Sequence, residues 1–228
     1  MFYYDWTMIL VIPGLLLGLW AQFKVKSSFD KYQRVLSRSG YTADDVARIL
    51  LNRANCGNVS IQQTGGSLTD HYDPRSQVLR LSNTVYGSGS VAAIGVAAHE
   101  CGHAMQHKEG YAPLKLRSML VPVVNLGSNL YFPIFMLGLL FSWEPLVTVG
   151  IACFALTLLF ALVTLPVEFN ASSRAIRILR EGGYLGEEEL KGAKAVLDAA
   201  ALTYVASAIS SLLQLIRLLL IARRNDRD

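Results

Sequence analysis

Residues 145–167 contain no charged side chain, and that limits the fold more than any other feature of the chain. A helix of roughly 20 apolar residues matches the ~30 Å hydrocarbon core of a bilayer, whereas a soluble surface helix needs a polar face. A second apolar stretch, residues 119–143, comes just before it, softened by Pro122, Asn125, Asn129 and Pro133. Only Ser142-Trp143-Glu144-Pro145 separates the two. They read as a transmembrane hairpin with a tight loop, and every other segment must lie on one side of the membrane or the other.

Charge makes that placement. Residues 24–118 hold twelve Lys and Arg and residues 168–198 hold five, while the hairpin loop holds none. Basic residues accumulate on the cytoplasmic side, so both polar segments are expected in the cytoplasm and the loop outside. Residues 1–23 then form an N-terminal anchor that starts outside. Tyr3, Tyr4 and Trp6 mark one end, Trp20 lies near the other, and Lys24 and Lys26 follow. The positive charge comes after the apolar run, which argues for an uncleaved anchor and against a signal peptide. Pro13 and Gly14 would kink it, which lipid tolerates.

Residues 199–222 are also long and apolar enough to cross, with interruptions at Gln214 and Arg217, and leave a tail at 223–228. Crossing sets Arg223, Arg224 and Arg227 outside, against the charge bias, with Asp226 and Asp228 offsetting them. A helix that stays partly within the bundle is the alternative. Composition agrees with a membrane protein, since 52% of residues are hydrophobic and only 17% charged. The net charge of +4 comes without a basic run interleaved with aromatics, so it reads as topology, and nucleic acid is discounted. Cys56, Cys101 and Cys153 are scattered, which fits a reducing compartment rather than a disulfide framework.

The polar segment 24–118 mixes helix and strand. Residues 27–38 have a short amphipathic pattern. Thr42-Ala43-Asp44-Asp45 starts a helix as a capping box, with Asp in place of the usual Glu or Gln, and Val46, Ile49 and Leu50 follow on one face. Residues 58–62 alternate as a strand, residues 68–72 follow the Gly65-Gly66 turn, and residues 77–82 follow Asp73-Pro74 as a further strand. Such a sheet either holds an extended peptide along an edge or only supports the next helix. Ser90 is placed to cap that helix, which should end near Gly110 with Pro113 beyond.

That helix carries His99-Glu100-Cys101-Gly102-His103. Residues four apart lie one turn above each other, so both imidazoles can reach one metal ion while Glu100 projects beside it. Two imidazoles and a carboxylate in this spacing suit a zinc hydrolase in which the carboxylate takes a proton from water. A catalytic zinc usually keeps a third protein ligand. His107 continues the spacing, but at 1.5 Å per residue it lies about 12 Å along the axis from His99, too far for one ion. His71 sits between Asp70 and Asp73 in a turn, with no ligand spacing. Glu168 is the stronger candidate, because the hairpin returns residue 168 to the membrane face from which residue 118 entered. A carboxylate at the end of an apolar run is costly without a partner; a capping or interfacial role is the alternative.

The order of these motifs resembles a known family. His99-Glu100-Cys101-Gly102-His103-Ala104, two apolar spans, and then Leu165-Pro166-Val167-Glu168-Phe169-Asn170-Ala171-Ser172 are similar to the bacterial membrane zinc metallopeptidases of the YugP type. Asp70-His71-Tyr72-Asp73-Pro74, Leu81-Ser82 and Ala200-Ala201-Leu202-Thr203-Tyr204-Val205-Ala206 extend the likeness over most of the chain. More distantly the order resembles the HtpX-type membrane proteases, which carry an Asp four residues after the ligand glutamate. Ser172 stands there instead, so Asn170, Ser172 and Arg174 become the candidates for orienting the ligands. Tyr204 and Arg174 are candidates for stabilising an oxyanion, although Tyr204 is equally an interfacial aromatic.

Residues and resemblance together imply a mainly α-helical integral membrane protein with about four transmembrane helices. They add a small cytoplasmic α+β zincin-like metallopeptidase domain with a short β-sheet, split between residues 24–118 and 168–198 around the hairpin 119–167. One catalytic Zn2+ would be held by His99, His103 and Glu168, with Glu100 as general base. The implied substrate is a protein or peptide at the bilayer, cleaved in membrane protein turnover or quality control at the bacterial cell membrane. Two alternatives stay open: a zinc hydrolase of a non-peptide substrate, and a membrane scaffold whose zinc is structural. A channel or transporter has little support, because Arg217 is the lone ionisable side chain in the apolar runs.

Overall fold

A computed structural model describes residues 6–225, so Tyr3 and Tyr4 of the anchor and Asp226, Arg227 and Asp228 of the tail lie outside the described residues. After a 3-10 segment at Trp6–Leu10 come α1 (Val11–Tyr32), α2 (Ala43–Arg53), β1 (Ser60–Thr64), β2 (His71–Asp73) and β3 (Val78–Ser82). Four more helices follow: α3 (Val91–Glu109), α4 (Ala112–Leu140), α5 (Glu144–Glu181) and α6 (Glu187–Asn225). The fold is thus mostly helical, with one small sheet. Four helical stretches, Trp6–Tyr32, Ala112–Leu140, Glu144–Glu181 and Glu187–Arg223, are long and apolar enough to cross a membrane.

The chain divides into two compact units, one within Met1–Ala21, Leu116–Leu165 and Leu202–Asp228, the other within Gln22–Lys115 and Pro166–Ala201. The first is built as helices pack in lipid, where burial of apolar surface from water does not drive association and small residues let backbones approach. A Cβ added at Gly138 would come within 2.6 Å of the Val147 amide nitrogen, and one at Gly14 within 2.8 Å of Ser210 Oγ. Many large side chains face outward, Leu15, Leu16, Leu126, Phe132 and Leu140 among them, while Phe135, Phe154 and Leu218 form a small buried cluster. Arg217 finds a polar partner there, its Nε donating to Thr7 Oγ1 at 3.3 Å.

The second unit is built as soluble proteins are. Its core gathers Leu50 and Leu51 of α2, Leu79 and Leu81 of β3, Ile94 and Ala98 of α3, and Leu179, Leu190 and Val196 of α5 and α6. The sheet order is β1-β3-β2, with β3 parallel to β1 and antiparallel to β2. Local signals act where the sequence places them. Thr42 and Asp45 close a capping box, Ser90 Oγ accepts the Ala93 N–H at 3.2 Å, and Gly110 ends α3 at φ +67°, a left-handed conformation that favours glycine.

Several boundaries differ from the sequence expectation: β1 and β2 fall at Ser60–Thr64 and His71–Asp73 rather than 58–62 and 68–72, and two helices run further than expected. The amphipathic pattern at 27–38 gives no helix of its own: α1 runs unbroken to Tyr32, and Leu36 forms an isolated bridge with Ser90. No Gly or Pro lies between Gly18 and Gly40, so nothing stops the anchor helix before the polar segment begins. Likewise the second hairpin span and the polar stretch after it form one 38-residue helix, α5, through Pro166. At 1.5 Å per residue it extends for about 57 Å, well beyond a ~30 Å hydrocarbon core. One continuous helix therefore carries both the apolar run and Glu168.

Candidate metal centre

α3 presents His99 and His103 one turn apart, and α5 presents Glu168 between them. His99 Nε2 lies 3.3 Å and His103 Nε2 3.6 Å from Glu168 Oε2. A ligand atom from each of the three residues falls within 4.8 Å of the others, and among the described residues no other set of His, Cys, Asp and Glu meets this test. Side-chain exposure is 14% for His99, 12% for His103 and 3% for Glu168. Donors placed ~2.0–2.1 Å from a tetrahedral zinc sit about 3.4 Å from one another, so the observed spacing fits that ion with little movement.

Gly102 makes the approach of the two helices possible. A Cβ there would lie 2.8 Å from the Ala171 carbonyl oxygen and 3.2 Å from its Cα, so the backbone of α5 packs directly on the backbone of α3. Ala171 is three residues beyond Glu168, and the contact sets the carboxylate level with the imidazoles. The far nitrogen of each ring is also held. His99 Nδ1 pairs with Ser172 Oγ at 3.0 Å, and His103 Nδ1 pairs with Gln106 Oε1 at 3.0 Å. An imidazole whose Nδ1–H is taken by an acceptor presents the Nε2 lone pair to a cation.

Glu100 is also buried. Its Oε2 accepts the backbone N–H of Tyr72 at 2.9 Å, and the Tyr72 hydroxyl pairs with His107 Nδ1 at 2.9 Å. Glu100 and His107 are seven residues apart, nearly the same helical face, so Tyr72 lies along α3 from one to the other. The charges favour a cation. Burial works against protonating His103, but the contact with Glu168 and the nearby Glu100 charge outweigh it and raise its pKa. Asp70, also near Glu100, is pushed up by burial although Ser82 gives it two hydrogen bonds.

The remaining candidates have the following places. Asn170 Oδ1 accepts from Gln106 Nε2 at 2.9 Å and from Arg174 Nε at 2.7 Å, and Arg174 Nη1 donates to Glu109 at 2.7 Å. His71 stays on the sheet, bonded to the Thr69 carbonyl and to Arg80. Tyr204 lies on α6 in the other unit. Gln106, Tyr72 and Gly102 escape a reading of the sequence as ligand-orienting or packing groups. A glutamine three residues after a histidine on a helix shares its side, which is a usable signal for Gln106. Nothing local marks Tyr72.

Four bilayer-length helices and a His/His/Glu cluster on α3 and α5 define a class, that of membrane proteins with a candidate zinc site. The chain belongs to the family described as "Putative neutral zinc metallopeptidase", which matches residues 7–223. It is similar to the "Putative membrane protease YugP" of Bacillus subtilis (strain 168), with 47% identity over 219 residues, 96% of this chain and 97% of that protein. No solved structure matches the chain.

Proposed function

We propose that the protein is a membrane-embedded zinc endopeptidase in which His99, His103 and Glu168 hold one zinc ion and Glu100 is the general base. The convergence of the two imidazoles and the Glu168 carboxylate beside Glu100 carries this reading. Zinc held there would lower the pKa of water toward ~7 and polarise the scissile carbonyl. Glu100 takes a proton from water as the water oxygen attacks the carbonyl carbon, then gives it to the leaving nitrogen as the C–N bond breaks. The Tyr72 N–H fixes Oε2 and leaves Oε1 without a protein partner among the described residues, so one oxygen aims the group while the other exchanges the proton. Because that N–H is taken, β2 holds the base at Tyr72 rather than a substrate strand.

Structural zinc sites carry four protein ligands, and three are gathered here, which supports a catalytic site over a scaffold. The site-bearing segments hold most of the basic residues, which supports a cytoplasmic active site, an N-terminus outside and a substrate that is a membrane-associated protein or peptide. The Glu100→Gln variant tests the chemistry. It should keep its zinc and lose peptide cleavage by at least about 100-fold, the scale of general base catalysis. Cleavage at the normal rate would remove Glu100 from that role, and hydrolysis of small esters without any peptide cleavage would favour a non-peptide substrate.

A further inference from the structure

Gln106 has no part in the chemistry above, yet it is fully buried, at 0% exposure, on the ligand helix. A buried primary amide is costly unless both its ends are satisfied, and here both are. Its Oε1 faces His103 Nδ1 at 3.0 Å. Its Nε2 donates to the Val167 carbonyl at 2.9 Å and to Asn170 Oδ1 at 2.9 Å. Those two acceptors lie one residue before and two residues after Glu168. One amide thus grips an imidazole ligand with its oxygen and the turn bearing the carboxylate ligand with its nitrogen. Its polarity also fits only one way round: with the nitrogen toward α5, the oxygen must face His103, which places the ring proton on Nδ1 and the lone pair on Nε2.

We infer that Gln106 is a positioning residue that sets the tautomer of His103 and its separation from Glu168, and so sets the affinity of the site for zinc. The inference rests on the zinc reading above. It deepens that reading, because the His103 and Glu168 positions become one coupled unit rather than two independent ligands. Arg174 extends the coupling, since its Nε shares the Asn170 oxygen with Gln106.

The test measures zinc affinity by chelator competition on the purified full-length protein in detergent, together with the visible spectrum of the Co2+-substituted form. Gln106→Met keeps the shape and removes every hydrogen bond. It should weaken zinc binding by about 10–100-fold, the usual cost of losing a group that orients a metal ligand, and shift the Co2+ bands. Gln106→Glu keeps an acceptor toward His103 and loses both donors. It should hold zinc at least about tenfold more tightly than Gln106→Met, even where its melting temperature is equally lowered.

Zinc affinity and Co2+ bands unchanged in Gln106→Met would overturn the inference, as would a Gln106→Glu protein that binds no better than Gln106→Met. If Gln106→Met does not fold, Gln106→Glu compared with His103→Ala decides: affinity near wild type supports the inference, and affinity as low as His103→Ala overturns it. A wild-type protein that binds no zinc would instead overturn the metal site itself, so the two failures are distinguishable.

Discussion

The two sides of α3 are built to different standards. Toward α5, Gly102 meets Ala171 backbone to backbone, and Ser172 and Gln106 fasten both imidazoles. Toward β2, the hydrogen bonds are one backbone N–H to Glu100 and one hydroxyl to the exposed His107, beside the packing of the Tyr72 ring. The α5 side sets the distances between the candidate metal donors. The β2 side holds one oxygen of the carboxylate proposed to exchange a proton. The candidate ligands are held by dense packing, and the proposed base by a single strand.

Substitutions can break this contrast. The largest effect is expected at the dense contact. Gly102→Val should push α5 away from α3, cost about 1–3 kcal/mol of stability as other overpacked sites do, and cut zinc content sharply, read by melting and metal analysis. On the other side, Tyr72→Pro removes the N–H to Glu100 without touching the triad. Cleavage should fall by about tenfold or more at unchanged zinc content; a matching loss of zinc would show that β2 also sets the ligands. His107→Ala should change both readouts by no more than about a factor of two, as for other exposed substitutions. Smallest of all, the buried thiols of Cys56 and Cys101, both pushed up by burial, should resist thiol reagents at pH 8 in the native protein and react on denaturation. Fast native labelling would mean that the core around α3 is open.

What the sequence made legible follows from how local each signal is. The Thr42–Asp45 capping box, the Ser90 cap and the Gly110 stop each depend on a few neighbouring residues, and the structure has all three. The apolar runs announced four bilayer-length helices because lipid requires long uncharged stretches. Helix ends inside polar sequence were harder, since α1 continues where composition changes with no breaker residue between, and α5 continues even through Pro166. Glu168 could be reached by following the hairpin out and back. Gln106 reaches partners 61 and 64 residues away, and Glu100 takes its N–H from 28 residues away. Such pairings arise from packing, which no short pattern encodes.

The central claim is that α3 and α5 together hold one zinc ion. It is tested most directly by metal analysis of the purified wild type beside Glu168→Ala. One zinc per chain in the wild type and a marked loss in Glu168→Ala is the expected result, because removing the carboxylate leaves only the two imidazoles. Equal zinc in both proteins would contradict the claim and place the third ligand elsewhere.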